Sequence, residues 1–227
     1  MIAIRKVFQL LGEINLLLAR TRFRLAGTRL YRRDFTLISQ NCLGGVLYHL
    51  LGMRFLSLTI NMFIEDENFV KFVEKIDYYI QLDAKPMCEC YIDPIDPTIR
   101  YPKISVGDIE LSCLHYETCQ DAVERWNERR KRVNTENLFV IANSWNLHNN
   151  KELAKRIVEC PYKTILFSLE DWSDLPNCVS LKGNYWETDS RGVVRPNLTD
   201  LKPKGCHYYF EEQFDFIKWL NEGMRGR

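Results

Sequence analysis

From Phe35 onward, short apolar runs alternate with runs of helical period. Phe35–Ser39 reads as a buried strand. Gln40, Asn41 and Cys42 are the first polar groups after it, Gly44 and Gly45 allow a sharp turn, and Val46–Leu51 opens a helix. Leu58–Ile64 predicts a second strand. Asp66 then caps a helix whose apolar face is Phe69, Val70, Phe72, Val73, Ile76 and Tyr79. Cys88–Ile92 is strand-like, Pro94 and Pro97 mark a loop, and Ile104–His115 predicts two strand pieces around a Gly107–Asp108 turn. Thr118 is a suitable N-cap for a helix over Cys119–Val133, with Ala122, Val123, Trp126 and Val133 as its apolar stripe.

Asn137–Ala142 and Thr164–Ser168 read as strands around a helix at Lys151–Val158. Residues 171–205 are rich in Pro, Gly, Asn and Asp, with a short strand near Cys178–Leu181. So long an irregular stretch suits a lid, a binding loop or a pair of edge strands. Glu211–Leu220 predicts a closing amphipathic helix. The alternation implies one three-layer α/β/α domain, residues 34–227, around a mostly parallel sheet.

Upstream, Ile4, Val7, Phe8, Leu11, Ile14 and Leu18 recur at helical spacing, and an arginine-rich link follows. Residues 1–33 hold eight Lys and Arg against Glu13 alone. That is +7, which leaves −6 for the rest of a chain whose total is +1. This basic amphipathic segment either packs on the domain or lies on an anionic membrane surface.

The small total charge gives no argument for nucleic acid as a partner. Eight cysteines without zinc-site spacing read as reduced thiols, with no metal site expected. No apolar run reaches membrane-spanning length, and residues 1–19 do not fit a signal peptide, so the expected location is cytoplasmic, with a peripheral membrane position as the alternative. Walker loop, GxGxxG, GxSxG and HExxH motifs are absent, which removes the common nucleotide, hydrolase and metalloprotease readings. No cofactor is indicated, and the oligomeric state is left open.

Ligands of open α/β sheets bind at the carboxyl ends of the strands. If all the strands share one parallel sheet, those ends gather Asn41 and Cys42, Glu65 and Asp66, His115 and Tyr116, Asn143, Ser144 and Trp145, and Glu170 and Asp171. His115 is the candidate general base. Cys42, at a helix start, either lines the site or attacks as a thiolate of lowered pKa. Asn41 either donates to an oxyanion or closes an Asx-turn. The turn at Gly44 and Gly45 offers backbone amides to an anion. Arg130 is expected to point inward, toward a phosphate or carboxylate.

Three segments carry a resemblance: Phe35–Gly45, Asp108–Asn134 with its His-Tyr, Trp and Arg positions, and Glu136–Val140. They resemble a bacterial family of unknown function whose members are often labelled exopolysaccharide biosynthesis proteins, over about residue 34 to the end. The Asn41–Cys42 turn is also loosely similar to that of capsule acetyltransferases that bind coenzyme A. The resemblance implies a role in capsule, exopolysaccharide or lipooligosaccharide assembly, with a sugar or activated sugar as substrate, Arg130 on a donor phosphate and Trp145 or Trp172 stacked on a sugar ring. The expected function is a transferase of an acyl, glycosyl or phosphoryl-linked group. The alternative is a non-catalytic module that binds a sugar nucleotide or a partner at the membrane.

Overall fold

The computed structural model describes residues 2–94, 96–183, 186–188, 194–196, 198–202 and 206–225. A long helix α1 (Ile2–Ala26) leads to β1 (Thr36–Ser39) and α2 (Leu43–Leu50). Then come α3 (Asp66–Glu74), α4 (Ile76–Tyr79), β2 (Lys85–Ile92), β3 (Arg100–Val106), β4 (Ile109–Ser112) and α5 (Cys119–Arg129). The chain continues through β5 (Leu138–Asn143), α6 (Lys151–Val158), β6 (Lys163–Ser168) and β7 (Cys178–Ser180). It closes with the hairpin β8 (Trp186–Thr188) and β9 (Val194–Pro196), then α7 (Phe210–Gln213) and α8 (Phe216–Arg225).

β1, β5, β6 and β7 form a four-stranded parallel sheet in the order β1-β5-β6-β7. Every residue of β1 and β5 is buried, as expected of strands covered on both faces. Alternate residues supply two cores, which follows from the period-two geometry of a strand. Ile38, Leu138, Val140, Ala142 and Leu166 face one cluster, which holds Phe69 and Phe72 of α3, Trp126 of α5 and Ile157 of α6. Leu37, Phe139, Ile141, Ile165 and Phe167 face the other, with Phe23 of α1, Leu47 and Tyr48 of α2, Phe210, and Phe216 and Leu220 of α8. The fold is therefore α/β, with a parallel sheet between two layers and an N-terminal helix.

Tyr48 ties α2 to β1: its hydroxyl donates to the Phe35 carbonyl at 2.8 Å and accepts from the Leu37 amide at 2.9 Å. Gly44 lies where a Cβ would come within 2.9 Å of Ser39 Cβ, so the helix can start this close to the strand only with glycine there. All eight cysteines are free of disulfides.

Four elements differ from the sequence reading. Leu58–Ile64 is irregular apart from a bridge between Phe63 and Ser112. Ser57 Oγ accepts from the Thr59 amide, Thr59 Oγ1 accepts from the Ser39 amide, and Asn61 takes φ 63°, so side chains replace a ladder. The strand leading to His115 belongs to a separate antiparallel sheet, β2-β3-β4, rather than to the parallel one. The tight turn at Gly107, φ +58°, folds β4 back on β3. α5 ends at Arg129 and tightens into a 3-10 turn at Arg130–Arg132. The closing helix is two helices, broken at Phe214, whose backbone is extended.

The long connection between the neighbours β1 and β5 contains α2 to α5 and the whole antiparallel sheet. The Phe63–Ser112 bridge, with amide-to-carbonyl bonds of 2.8 Å in both directions, anchors the end of β4 close to the residues that follow α2. That contact returns residues 113–116 over the carboxyl end of β1.

Candidate functional site

A cavity of about 310 Å³ opens at the carboxyl ends of β1 and β5. β1 delivers Asn41 and Cys42 to it, and β5 delivers Asn143, Trp145 and Asn146. The turn after β4 adds Leu114 and His115. The loop before α3 adds Asn61, Met62, Phe63 and Glu65, and the β2–β3 connection adds Asp93, Ile99 and Tyr101. Pro196, Leu198 and Thr199, from the long segment read as a lid or loop, form part of one wall.

Within it, Cys42 Sγ lies 3.4 Å from His115 Nε2, both residues exposed to solvent. The two are brought together from different sheets. Cys42 occupies the N-cap position of α2, with its own side chain free of capping. Capping is done by Asn41, whose Oδ1 accepts the Leu43 amide at 3.0 Å. Asn41 therefore closes the Asx-turn, one of its two expected roles. Although a helix start and an imidazole both favour a thiolate, desolvation by the pocket walls pushes the Cys42 thiol above its ordinary range. That direction is opposite to the lowering expected from the helix start and the imidazole.

Asn143, at the end of β5, is fully buried, and neither its Oδ1 nor its Nδ2 has a hydrogen-bond partner. Asn146 Nδ2 is likewise buried without one, while its carbonyl accepts from Gln40 Nε2 at 2.9 Å. Orphaned buried amides are costly, of order 1–3 kcal/mol each, so two in one wall are an unusual feature. Glu65 and Asp93 give the wall negative charge. None of the described residues lining the cavity is Lys or Arg.

Other residues expected at the site stand elsewhere. Gly44 is buried against Ser39 and Leu37, and Gly45 meets Ile60. Asp66 begins α3 and bonds His148 Nδ1 at 2.5 Å, outside the cavity lining. Tyr116 is half-buried. Its hydroxyl donates to the Ile60 carbonyl at 3.0 Å and accepts from Arg129 at 2.6 Å. The inward arginine of α5 is thus Arg129, 9% exposed, which also donates to the Ile60 carbonyl. It shares the buried face of Cys119, Ala122 and Trp126, whereas Arg130 begins the 3-10 turn and donates to Ile80, Gln81 and Asp83. Trp172 is a core residue on the α6 side, so Trp145 is the aromatic group available to a ligand.

Glu65 lines the cavity, as its place at a strand end suggests, whereas Asn61, Asp93, Tyr101, Asn146 and Thr199 are not evident as site residues from sequence. Asp93 directly follows β2, and its position before Pro94 marked a loop but not the cavity it faces.

The family model described as "Domain of unknown function (DUF1919)" matches residues 15–221, and the chain belongs to that family. The match begins at Asn15 in α1, whose Oδ1 accepts from Cys206 Sγ. A Haemophilus influenzae protein named only as uncharacterized is similar, 25% identical over 194 residues, which is 85% of this chain and 87% of that one.

Proposed function

We propose that the protein is an acyltransferase of bacterial surface-polysaccharide assembly, with Cys42 as nucleophile and His115 as general base. The observation that carries this reading is the 3.4 Å contact between Cys42 Sγ and His115 Nε2 at the carboxyl edge of a parallel sheet. Of the three transfer chemistries considered, acyl transfer is the one that a thiol–imidazole pair performs directly.

The steps balance as follows. Cys42 passes its proton to His115 Nε2, and the sulfur bonds to the carbonyl carbon of an acyl thioester donor. The carbonyl electron pair moves onto oxygen, with the unpartnered Asn146 amide as the donor at hand. Collapse expels the donor thiolate, which takes the proton from Nε2 and leaves a thioester on Cys42. A sugar hydroxyl then gives its proton to Nε2 as its oxygen attacks that thioester. Release of the sugar ester returns the proton to the sulfur.

The lining favours an uncharged, hydroxyl-rich acceptor. Asn41 and Asn61 present carboxamides to the cavity, Asn143 and Asn146 hold buried, unpartnered ones in its wall, and Trp145 offers an apolar face. Glu65 and Asp93 oppose a phosphate, and Arg130 is engaged far along α5. The glycan context rests on the segment resemblance together with this lining.

The test is complementation of a deletion strain with wild-type protein and with His115→Ala, reading the acyl content of the surface glycan. The account expects full restoration by the first and none by the second, with both proteins equally folded. An unchanged glycan from a folded His115→Ala strain overturns the assignment.

A further inference from the structure

We propose that α1 is an interfacial anchor that lays its outer face on an anionic lipid surface. This is independent of the chemistry assigned to the cavity.

The helix has two apolar faces, and only one is used by the fold. Ala19 and Phe23 are buried, and Ala26 packs beside them. Phe23 meets Phe210 edge-on at 5.4 Å, and Arg22 pairs with Glu211 and donates to the Cys206 carbonyl. These residues follow each other at helical spacing and fix α1 to the α7–α8 layer. Leu11, Ile14, Leu18 and Leu25 form a second stripe at spacings of three, four and seven residues, roughly a third of a turn round the helix from the buried face. All are exposed, from 44% for Ile14 to 63% for Leu25, and Leu17 beside them is 65% exposed. Gly12, near the start of the stripe, has nothing within 4 Å of where a Cβ would stand.

Such a stripe is larger than the scattered exposed apolar residues of an ordinary surface. Charge identifies its occupant. Residues 1–33 carry +7 while the rest of the chain carries −6. Arg20 and Arg24 follow Leu17 at three and seven residues along one flank of the stripe; both are exposed, although Arg20 also bonds Tyr208 and the Arg24 guanidinium lies over Gly52. An apolar stripe edged by arginine is the pattern by which a helix lies at a headgroup boundary, apolar side down, with guanidinium groups on lipid phosphates. Two such helices face to face would instead bring like charges together. Among the described residues no helix is long and apolar enough to cross a membrane, so the geometry is one of lying on the surface.

The experiment is flotation of the full chain with vesicles of phosphatidylcholine alone and with vesicles containing about a third phosphatidylglycerol. Wild-type protein is expected to float with the anionic vesicles at least about tenfold more than with neutral ones. Ile14→Asp/Leu18→Asp is expected to lose that partition while keeping the wild-type melting temperature, because both residues are exposed. Arg20→Glu/Arg24→Glu is expected to weaken it and to abolish its dependence on anionic lipid. No flotation with anionic vesicles, or equal flotation of wild-type and Ile14→Asp/Leu18→Asp, overturns the proposal. So does a wild-type dimer in sedimentation that the same double variant dissociates, without lipid binding.

Discussion

Two histidines of this protein each sit against a partner of catalytic type, and their surroundings separate them. His115 faces the Cys42 thiol inside a cavity whose walls hold unpartnered carboxamides. His148 faces the Asp66 carboxylate at 2.5 Å, a closer contact, yet its side chain is 76% exposed and it lines no part of that cavity. His148 also takes a left-handed backbone, φ 49°, with Asn149 following at φ 53°. A bonded pair is therefore not by itself a site. What distinguishes His115 is an open cavity beside it, burial that raises the pKa of the facing Cys42 thiol, and polar groups left without partners.

The sharpest way to break this contrast is to remove each pair in turn. Cys42→Ala and His115→Ala are expected to lower acyl transfer by at least about a hundredfold. His148→Ala is expected to stay within about twofold of wild-type, since it touches no group in the proposed steps. Equal losses in steady-state assays of the three variants would erase the distinction. The backbone that presents Cys42 is tested next. Gly44→Ala places a methyl group against Ser39, and chemical denaturation should show a loss of ~1–3 kcal/mol.

Asn143→Leu sharpens the comparison from the other side. Replacing a buried unpartnered amide by an apolar group of similar size is expected to leave stability unchanged or raise it by ~1 kcal/mol. Ligand binding, followed by calorimetry with neutral sugars, is expected to fall in the same variant. A stability loss with unaltered binding would make Asn143 an ordinary structural residue.

A gentler test uses pH. Burial raises the Cys42 pKa, so the neutral thiol persists at pH 7 and the thiolate grows only as pH climbs through that raised value. Alkylation of Cys42 by iodoacetamide should thus keep rising beyond pH 9, the ordinary thiol value, without a plateau at neutral pH. A neutral plateau would indicate a preformed thiolate. Burial holds Cys113 higher still, pushed up to about 12, and it should remain unlabelled. The smallest effect is on stability at the other pair, where losing the exposed His148–Asp66 contact should cost no more than ~0.5 kcal/mol by denaturant titration.

Parts of this arrangement are legible in the sequence because local physics decides them. The buried runs of β5 and β6, the Thr118 cap that accepts the Asp121 amide, and helix α6 stand where their patterns indicate. The strand-turn-helix joint at Asn41–Gly45 does too, since it needs glycine at one close approach. The meeting of Cys42 and His115 was reached through a wrong intermediate, that β4 belongs to the parallel sheet. The Phe63–Ser112 bridge achieves the same meeting from another sheet. Such a bridge joins residues distant in sequence and leaves no periodic trace.

Arg129 and Arg130 show a similar limit. Both lie near the apolar stripe of α5, and the tightening of the last turn decides which one enters the core. The acidic character of the cavity is only half legible. Glu65 stands at a strand end beside the Asn41 turn in the sequence reading, whereas Asp93 comes from a separate loop and only the fold brings it there. A joint that looks anion-friendly on its own thus lies in a cavity with two acids in its walls.

The central claim, that Cys42 is a nucleophile activated by His115, is tested most directly by trapping the acylated protein. Wild-type and His115→Ala proteins are incubated with an acetyl thioester without acceptor, then followed by intact mass and peptide mapping. The account predicts one acetyl group on Cys42 in wild-type, forming at least about a hundredfold more slowly in His115→Ala and discharged by an acceptor sugar. Acetylation of Cys42 at the same rate in both proteins, or none on Cys42 in either, would contradict it.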